Sequence, residues 1–249
     1  MVTKPRPEDL SKYYDSQAYI SHTDAKRSVF DKLYQRVKRL NLKRKAELIR
    51  RLSGKQGSLL DIGAGTGDFL RYMKDQGWQT TGIEPNAKAR ARAKAKNMEL
   101  EESFEGLTGS TFDVITLWHV LEHIPNLEQT MRRIATMLHD KGHLLVAVPN
   151  YRSHDAEWYG TYWAAYDVPR HVWHFSQKAM GHLVAQHDMQ IEEIVPMPFD
   201  AYYVSLLSER YKGGRSRPFH AFYRGFVSNL KAKRNMQYSS LLYVIKKAK

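Results

Sequence analysis

Cysteine is absent from the 249-residue chain. Its absence excludes disulfides, thiolate-held zinc, iron–sulfur clusters and cysteine nucleophiles, and it fits a reducing cytoplasm, where the protein is expected to work. Long apolar runs are missing too. No stretch approaches the roughly 18 apolar residues of a membrane span, and the segment Met1 to Ser16 has no apolar core of a secretion signal. Acidic residues are scarce: 26 Asp and Glu stand against 39 Lys and Arg, a net charge of +13. Such an excess is drawn to phosphate backbones or anionic lipid surfaces, or else it lies on solvated helix faces. The chain has no repeats and no low-complexity segment. Its 42% hydrophobic content, with 12% aromatics, is enough for one large domain with a sizeable core.

Read in order, the chain first predicts a helix from about Thr23 to Leu52. Val29, Leu33 and Val37 recur every four residues, Thr23 or Asp24 offers a capping oxygen, and Asn41 marks a break. Its other faces carry cations from Lys26 to Arg51, read as a solvated surface. A turn at Ser53 to Gly57 follows, and then strand and helix alternate. Strands are expected at Ser58–Ile62, Gln79–Glu84, Met98–Glu101, Phe112–Leu117 and His143–Val148. Helices are expected at Asp68–Gln76, Asn86–Asn97 and Leu127–Leu138, the last closed by a turn at His139-Asp140-Lys141-Gly142. This alternation implies right-handed crossovers. The expected fold is α/β, Rossmann-like and doubly wound, a mostly parallel sheet with a final antiparallel strand. An N-terminal helical cap, residues 1–54, precedes the main domain, 55–249.

Beyond Asn150 the rhythm breaks. Residues 151–175 are aromatic and polar without a clear period, and Trp158, Tyr159, Tyr162, Trp163, Tyr166 and Trp173 read as an active-site lid over an aromatic or lipid-like acceptor. Ser176 caps a helix reaching about His187. A strand at Ile191–Val195, a helix at Phe199–Tyr211, a mobile basic loop at Lys212–Pro218 and a last strand at Tyr238–Ile245 complete the reading.

The most informative segment is Asp61-Ile62-Gly63-Ala64-Gly65-Thr66-Gly67-Asp68. Glycines at the carboxyl end of a first strand allow a sharp turn and let a ligand touch the main chain. Such a loop alone is shared by many nucleotide-binding folds. Here the position of a third dinucleotide glycine is Asp68, a poor neighbour for a pyrophosphate, and Asp61 precedes the loop. A ligand with a cationic amine and sulfonium suits these carboxylates better than a phosphate ligand. Glu84 closes the second strand at the offset of about 20 residues where an acid takes ribose hydroxyls.

This combination resembles the class I S-adenosylmethionine-dependent methyltransferases over roughly Leu59 to Phe175. Further motifs carry the likeness. Phe112 to Ile124 resembles the family's fourth strand running into a VLEH helix start. Lys141 to Asn150 resembles its fifth strand, with His143 in place of a second glycine. Asp167 to Phe175 resembles the PRH segment of a bacterial subgroup near the ubiquinone-type O-methyltransferases. The resemblance implies S-adenosylmethionine as cofactor. Asp61, Gly63, Ala64, Gly65 and Gly67 would hold its methionine end, and Glu84 with Pro85 its ribose. Ser103 and Phe104 would meet the adenine, although Glu101 to Glu105 departs from the family's commoner pattern there. Leu117, Trp118 and His119 would line the cofactor where the fourth strand ends. Residues Tyr13 to His22 could pack over the cleft, as helical extensions do in relatives.

Methyl transfer is an in-line displacement at a carbon already activated by sulfur, so the protein must mainly align the acceptor and exclude water. A base is needed only if the acceptor carries a proton, as a hydroxyl does. His119, His123, His171 and His174 are the candidates, His119 being best placed and His123, after Glu122 at a helix start, reading as structural. His171 and His174 are three apart and would share a face on a helical turn. Together with Asp167 they lack a firm third metal ligand, and no metal is expected. The expected partner is a small-molecule acceptor methylated at oxygen, with the protein a monomer or homodimer. Two alternatives stand beside this reading: an RNA methyltransferase holding phosphates with the basic helices at Lys26–Arg51 and Lys88–Lys96, or a non-catalytic cofactor-binding protein.

Overall fold

The computed structural model describes residues 1–3, 29–215 and 217–248. Most of the expected N-terminal cap, including Thr23 and Asp24 and the segment Tyr13 to His22, lies outside the described residues. Helix α1 spans Val29–Ser53 and runs unbroken through Asn41. A lone asparagine costs a helix interior well under about 1 kcal/mol, and with no proline or glycine beside it the expected break does not occur.

Strand β1 is Ser58–Ile62, α2 Asp68–Asp75, β2 Gln79–Ile83 and α3 Ala87–Lys94. The side chain of Asn86 caps α3 by accepting from the Ala89 N–H at 3.0 Å, and only Ala89 and Ala93 of that helix are buried. The strand expected at Met98–Glu101 is not formed. With Glu99 and Glu101 in it and Glu102 next to it, the segment is too acidic for a covered strand. It makes a single parallel bridge between Glu101 and Ile83, where the Glu101 N–H donates to the Gly82 carbonyl. Strand β3 is Phe112–Trp118, α4 is Leu127–Met137 and β4 is Leu138–Pro149. The turn expected at His139 to Gly142 is instead the exposed start of β4. Glycine is required at 142, because a Cβ there would lie 2.9 Å from the Asp113 carbonyl oxygen.

Helices α5 (His154–Tyr159), α6 (Gln177–Ala185), α7 (Pro198–Gly213) and α8 (Pro218–Asn235) follow, with strands β5 (Met189–Pro196) and β6 (Ser240–Lys247). The six strands are ordered β2-β1-β3-β4-β6-β5. β1 and β2 pair in parallel, Leu60 opposite Thr81, whereas β6 runs antiparallel to both β4 and β5. This is the mostly parallel sheet with an antiparallel final strand that the sequence predicts.

Two compact units can be distinguished. One comprises the described residues within 9–116 and 136–143, the other those within 1–8, 117–135 and 144–249. Helix α1 falls in the same unit as β1 and β2. The first unit's core is built on Leu59, Leu60, Leu70, Met73, Val114 and Ile115, all fully buried.

Helix α8, in the second unit, was not anticipated from the sequence, and its pattern explains why. The buried face is Ala221, Gly225, Ser228, Asn229 and Ala232, so the small and polar residues point inward. A Cβ at Gly225 would lie 2.8 Å from the Tyr202 ring, so α7 and α8 touch closely. The expected lid also needs correction. Tyr159 and Trp163 are each only 2% exposed and belong to a core cluster with Ala156, Ala164 and Ala165; Trp158 and Tyr162 face outward. The cluster is fastened by Asp155, itself buried. Its carboxylate accepts from the Trp163 indole N–H at 2.8 Å, from Ser228 at 2.7 Å and from Ser239 at 2.6 Å.

Removing that carboxylate leaves three buried donors unpaired. Asp155→Ala is therefore expected to cost about 3–5 kcal/mol and to lower the melting temperature by roughly 10 °C. A shift of only a degree or two in a thermal melt would show that Asp155 does not fasten this cluster.

Candidate active site

The loop between β1 and α2 forms as its glycines require. Gly63, Gly65 and Gly67 have φ of 74°, 57° and 73°, the left-handed region where a side chain is strained. The N–H groups of Gly63 and Ala64 both donate to the Ile83 carbonyl, at 2.7 and 2.9 Å, so the loop folds over the end of β2. A Cβ on Gly67 would press on Met98 at 3.2 Å, whereas one on Gly65 would meet nothing within 4 Å. The backbone at Gly65 is thus open to a ligand.

Glu84 follows β2 and is 8% exposed. One carboxylate oxygen accepts from the Gly65 N–H at 2.8 Å, the other from the Asn86 N–H at 2.9 Å. An ionised carboxylate has about four acceptor directions, so both oxygens can still accept from vicinal hydroxyls. Asp61, 3% exposed, accepts from the Thr116 hydroxyl at 2.6 Å. Burial pushes its carboxyl up to about 7, against the opposing pull of Thr116 and Lys45. A cationic ligand beside this buried acid would favour its ionised form and lower its pKa.

Asp68 behaves as the sequence alone does not reveal. Its carboxylate is clamped between the ammonium groups of Lys38, at 2.7 Å, and Lys96, at 3.0 Å, with the Thr66 hydroxyl at 2.9 Å. Burial raises its pKa, but these hydrogen bonds outweigh that and hold it below the usual carboxylate range. Lys38 is therefore a tether between α1 and the glycine loop, not part of a merely solvated face. Ser103 and Phe104 are half-buried; Phe104 begins a short turn to Leu107. Pro85 is exposed, and its carbonyl accepts from Arg90 at 2.7 Å.

The second unit holds the other predicted residues. Leu117 is fully buried. Trp118 is half-buried. His119 has φ of 58°, a conformation costing a non-glycine residue about 1–3 kcal/mol and found mostly where structure serves function. Its ring lies between two carboxylates: Nε2 is 3.1 Å from Asp200 and Nδ1 is 3.5 Å from Glu122. Burial opposes the charge, but Asp200 and then Glu122 outweigh it and push the imidazole up to about 10. His119 is an imidazolium at neutral pH and not, as it stands, a base.

Neither His171 nor His174 lies on a helical turn; the segment is extended. Both are buried. His171 Nδ1 donates to the Ala165 carbonyl at 2.8 Å. Thr3 donates its hydroxyl to the His171 carbonyl at 2.7 Å and so accepts from His174 Nε2 at 3.0 Å. Burial, with His171 nearby, pulls His174 down to about 4. These two histidines hold the segment in place. In place of the His171, His174 and Asp167 trio, the fold gathers Glu122, His123 and His171, whose potential ligand atoms lie within 4.8 Å of one another. Glu122 is 1% exposed, and its carboxylate meets His119 Nδ1 at 3.5 Å. Burial pushes it up, but His119, His171 and His123 more than compensate and keep it below the usual range.

A parallel-sheet fold with a glycine turn, a strand-end acid and no phosphate-binding lysine in the loop defines a Rossmann-like nucleoside-cofactor domain. The profile of a methyltransferase-domain family matches residues 34–194, well over half of the chain, and the chain belongs to that family. The ubiquinone biosynthesis O-methyltransferase of Aeromonas salmonicida is 33% identical over 102 residues, 37% of this chain and 43% of that one. Its counterpart in Nitrosospira multiformis is 26% identical over 167 residues, covering 60% and 69%. The chain spans about half the length of most of the curated relatives it matches. Among solved structures, magnesium protoporphyrin IX methyltransferase from Synechocystis PCC 6803 with bound SAH shares the fold, with a TM-score of 0.62 at 11% identity, covering 95% of this chain and 97% of that one.

The buried acid gives a pH-dependent signature. Asp61 has its folded pKa raised, so its stabilising contribution is full below about 3.8 and is lost as pH rises to about 7, a loss of about 4 kcal/mol. Asp61→Asn cannot ionise. Its stability relative to the wild type should therefore grow from pH 4 to pH 7 and level off above, measured by urea unfolding at each pH. A difference that stays constant across that range would contradict the raised pKa.

Proposed function

We propose that this protein transfers the methyl group of S-adenosylmethionine to an oxygen of a small-molecule acceptor. The observation that carries the reading is Glu84, buried against the glycine loop with acceptor capacity left over for the two ribose hydroxyls. Asp61 supports it as the partner of the cofactor's ammonium, and binding would lower its raised pKa. Ser103 and Phe104 are assigned to the adenine. The family membership and the O-methyltransferases among the relatives support the same donor and acceptor atom. When bound, the cofactor supplies an electrophilic methyl group. The chain's own residues then orient the acceptor and exclude water.

His119 enters this reading in a different role from the one its sequence position suggests. As an imidazolium it cannot take the acceptor's proton. Its two N–H groups face Asp200 and Glu122, so it acts on the acceptor through Asp200, whose carboxylate it holds in place beside a positive charge. Asp200 is then the base: its carboxylate, with lone pairs left beside the one facing His119, takes the acceptor's hydroxyl proton as the oxygen attacks the methyl carbon. The segment 151–175 is retained as a lid only through its outward side chains, Trp158 and Tyr162. We place the reaction in the cytoplasm, carried out by a monomer or homodimer. Among the described residues, no helix is long and apolar enough to cross a membrane.

Labelled S-adenosylmethionine offered with a panel of phenols, catechols and alcohols should yield a labelled ether. His119→Ala should lower kcat by about 10²- to 10³-fold and leave cofactor binding within a few-fold of the wild type. Label appearing only in RNA, with none in any hydroxylated small molecule, would overturn the acceptor class.

A further inference from the structure

Helix α8 is amphipathic in an inverted sense. Its small residues face the protein, and its aromatic residues face out. Phe219 is 91% exposed, Phe222 63%, Phe226 50% and Leu230 53%. The spacing of three, four and four places these side chains in one stripe along a helix of 18 residues. The inward face is committed: Ser228 donates to Asp155 at 2.7 Å, and Asn229 donates to the Pro198 carbonyl at 2.8 Å. The aromatic stripe therefore cannot be turned inward without unmaking the core. Four large apolar side chains aligned on one exposed face of a helix mark an interaction surface.

Charge says what the surface meets. No Asp or Glu follows Glu209, whereas eleven Lys and Arg do. Arg217 stands exposed at the start of α8, and Lys231, Lys233 and Arg234 stand exposed in its last turns. Arg224 lies flat over the Trp158 ring, 3.3 Å from its centre, with the Lys212 ammonium 5.7 Å from the same ring. A helix with phenylalanines and leucine along one stripe and cations at both ends matches an interfacial helix, with its rings in the acyl boundary and its cations at the headgroups.

We propose that the outer face of α8 is a docking surface for an anionic phospholipid bilayer, on which the protein rests without spanning it. Cations attract the protein to the negative surface and the aromatic stripe holds it there. Each Lys or Arg near such a surface contributes a modest, salt-sensitive increment. Lying flat, α8 needs no transmembrane length. This inference is independent of the methyl-transfer reading, since none of the α8 residues it rests on is assigned to the cofactor or acceptor.

The full-length protein is tested by co-sedimentation with vesicles of phosphatidylcholine, with and without phosphatidylglycerol. Binding should require phosphatidylglycerol and weaken as salt rises. The double variant Phe219→Ser, Phe226→Ser should lose about tenfold or more of it, with unchanged circular dichroism and unchanged cofactor binding. Charge reversal at Arg217 and Lys233 should have a similar effect. Phe222→Trp supplies a readout that does not depend on the serine variant folding: its fluorescence should be quenched by bromine on the lipid acyl chains. Absence of that quenching, or equal affinity for vesicles lacking phosphatidylglycerol, would overturn the proposal. So would a dimer that buries this face and falls apart in the serine variant, seen by sedimentation velocity. RNA binding lost in the same variant, without vesicle binding, would overturn it as well.

Discussion

A single carboxylate joins the parts on which the candidate cofactor site is built. Glu84 stands at the end of β2 and takes one backbone N–H from the glycine loop and one from Asn86; Asn86 in turn caps α3. The loop after β1, the end of β2 and the start of α3 are thereby fixed to one another by hydrogen bonds to a charged group, each worth about 1.5–3 kcal/mol. The open backbone at Gly65 is placed beside an acceptor that still has unused lone pairs. The Asp68 clamp acts on the opposite side of the same loop, drawing in α1 through Lys38 and the end of α3 through Lys96.

Four buried or half-buried carboxylates are stabilised in four ways, and the differences follow function. Asp155 is satisfied entirely by neutral donors and fastens a core. Asp68 is held ionised by two lysines. Asp61 has one hydroxyl and a raised pKa, which suits a group waiting for a cationic partner. Glu122 is kept charged by surrounding imidazoles, His119 Nδ1 among them at 3.5 Å. Buried charges normally retain full hydrogen bonding, so the departures at Asp61 and Glu122 mark the regions where chemistry is expected.

Much of this was legible in the sequence where interactions are local. β1, β2, β3, α2 and α6 lie within a residue or two of their expected bounds, because apolar runs, glycine turns and the Ser176 cap are local signals. The meeting of Glu84 with the glycine loop was legible because a short spacing encodes it. The Asp68 clamp was not, since Lys38 and Lys96 reach it across 30 and 28 positions. Nor was the imidazolium state of His119, which depends on the distant Asp200. Helix α8 escaped notice because hydrophobic patterning assumes that large apolar residues face inward, and there they face out. The early start of β4 was hidden by polar residues that resemble a turn but lie on an exposed strand end.

The central claim is that Glu84 joins the glycine loop to a nucleoside cofactor of S-adenosyl type. Isothermal titration of the wild type and of Glu84→Ala with S-adenosylhomocysteine tests it most directly. The account predicts micromolar binding by the wild type and an affinity about 10- to 100-fold lower in the variant, both proteins showing the same circular dichroism. Unchanged affinity in a folded variant, or a wild type that ignores S-adenosylhomocysteine and binds a nicotinamide dinucleotide instead, would contradict it.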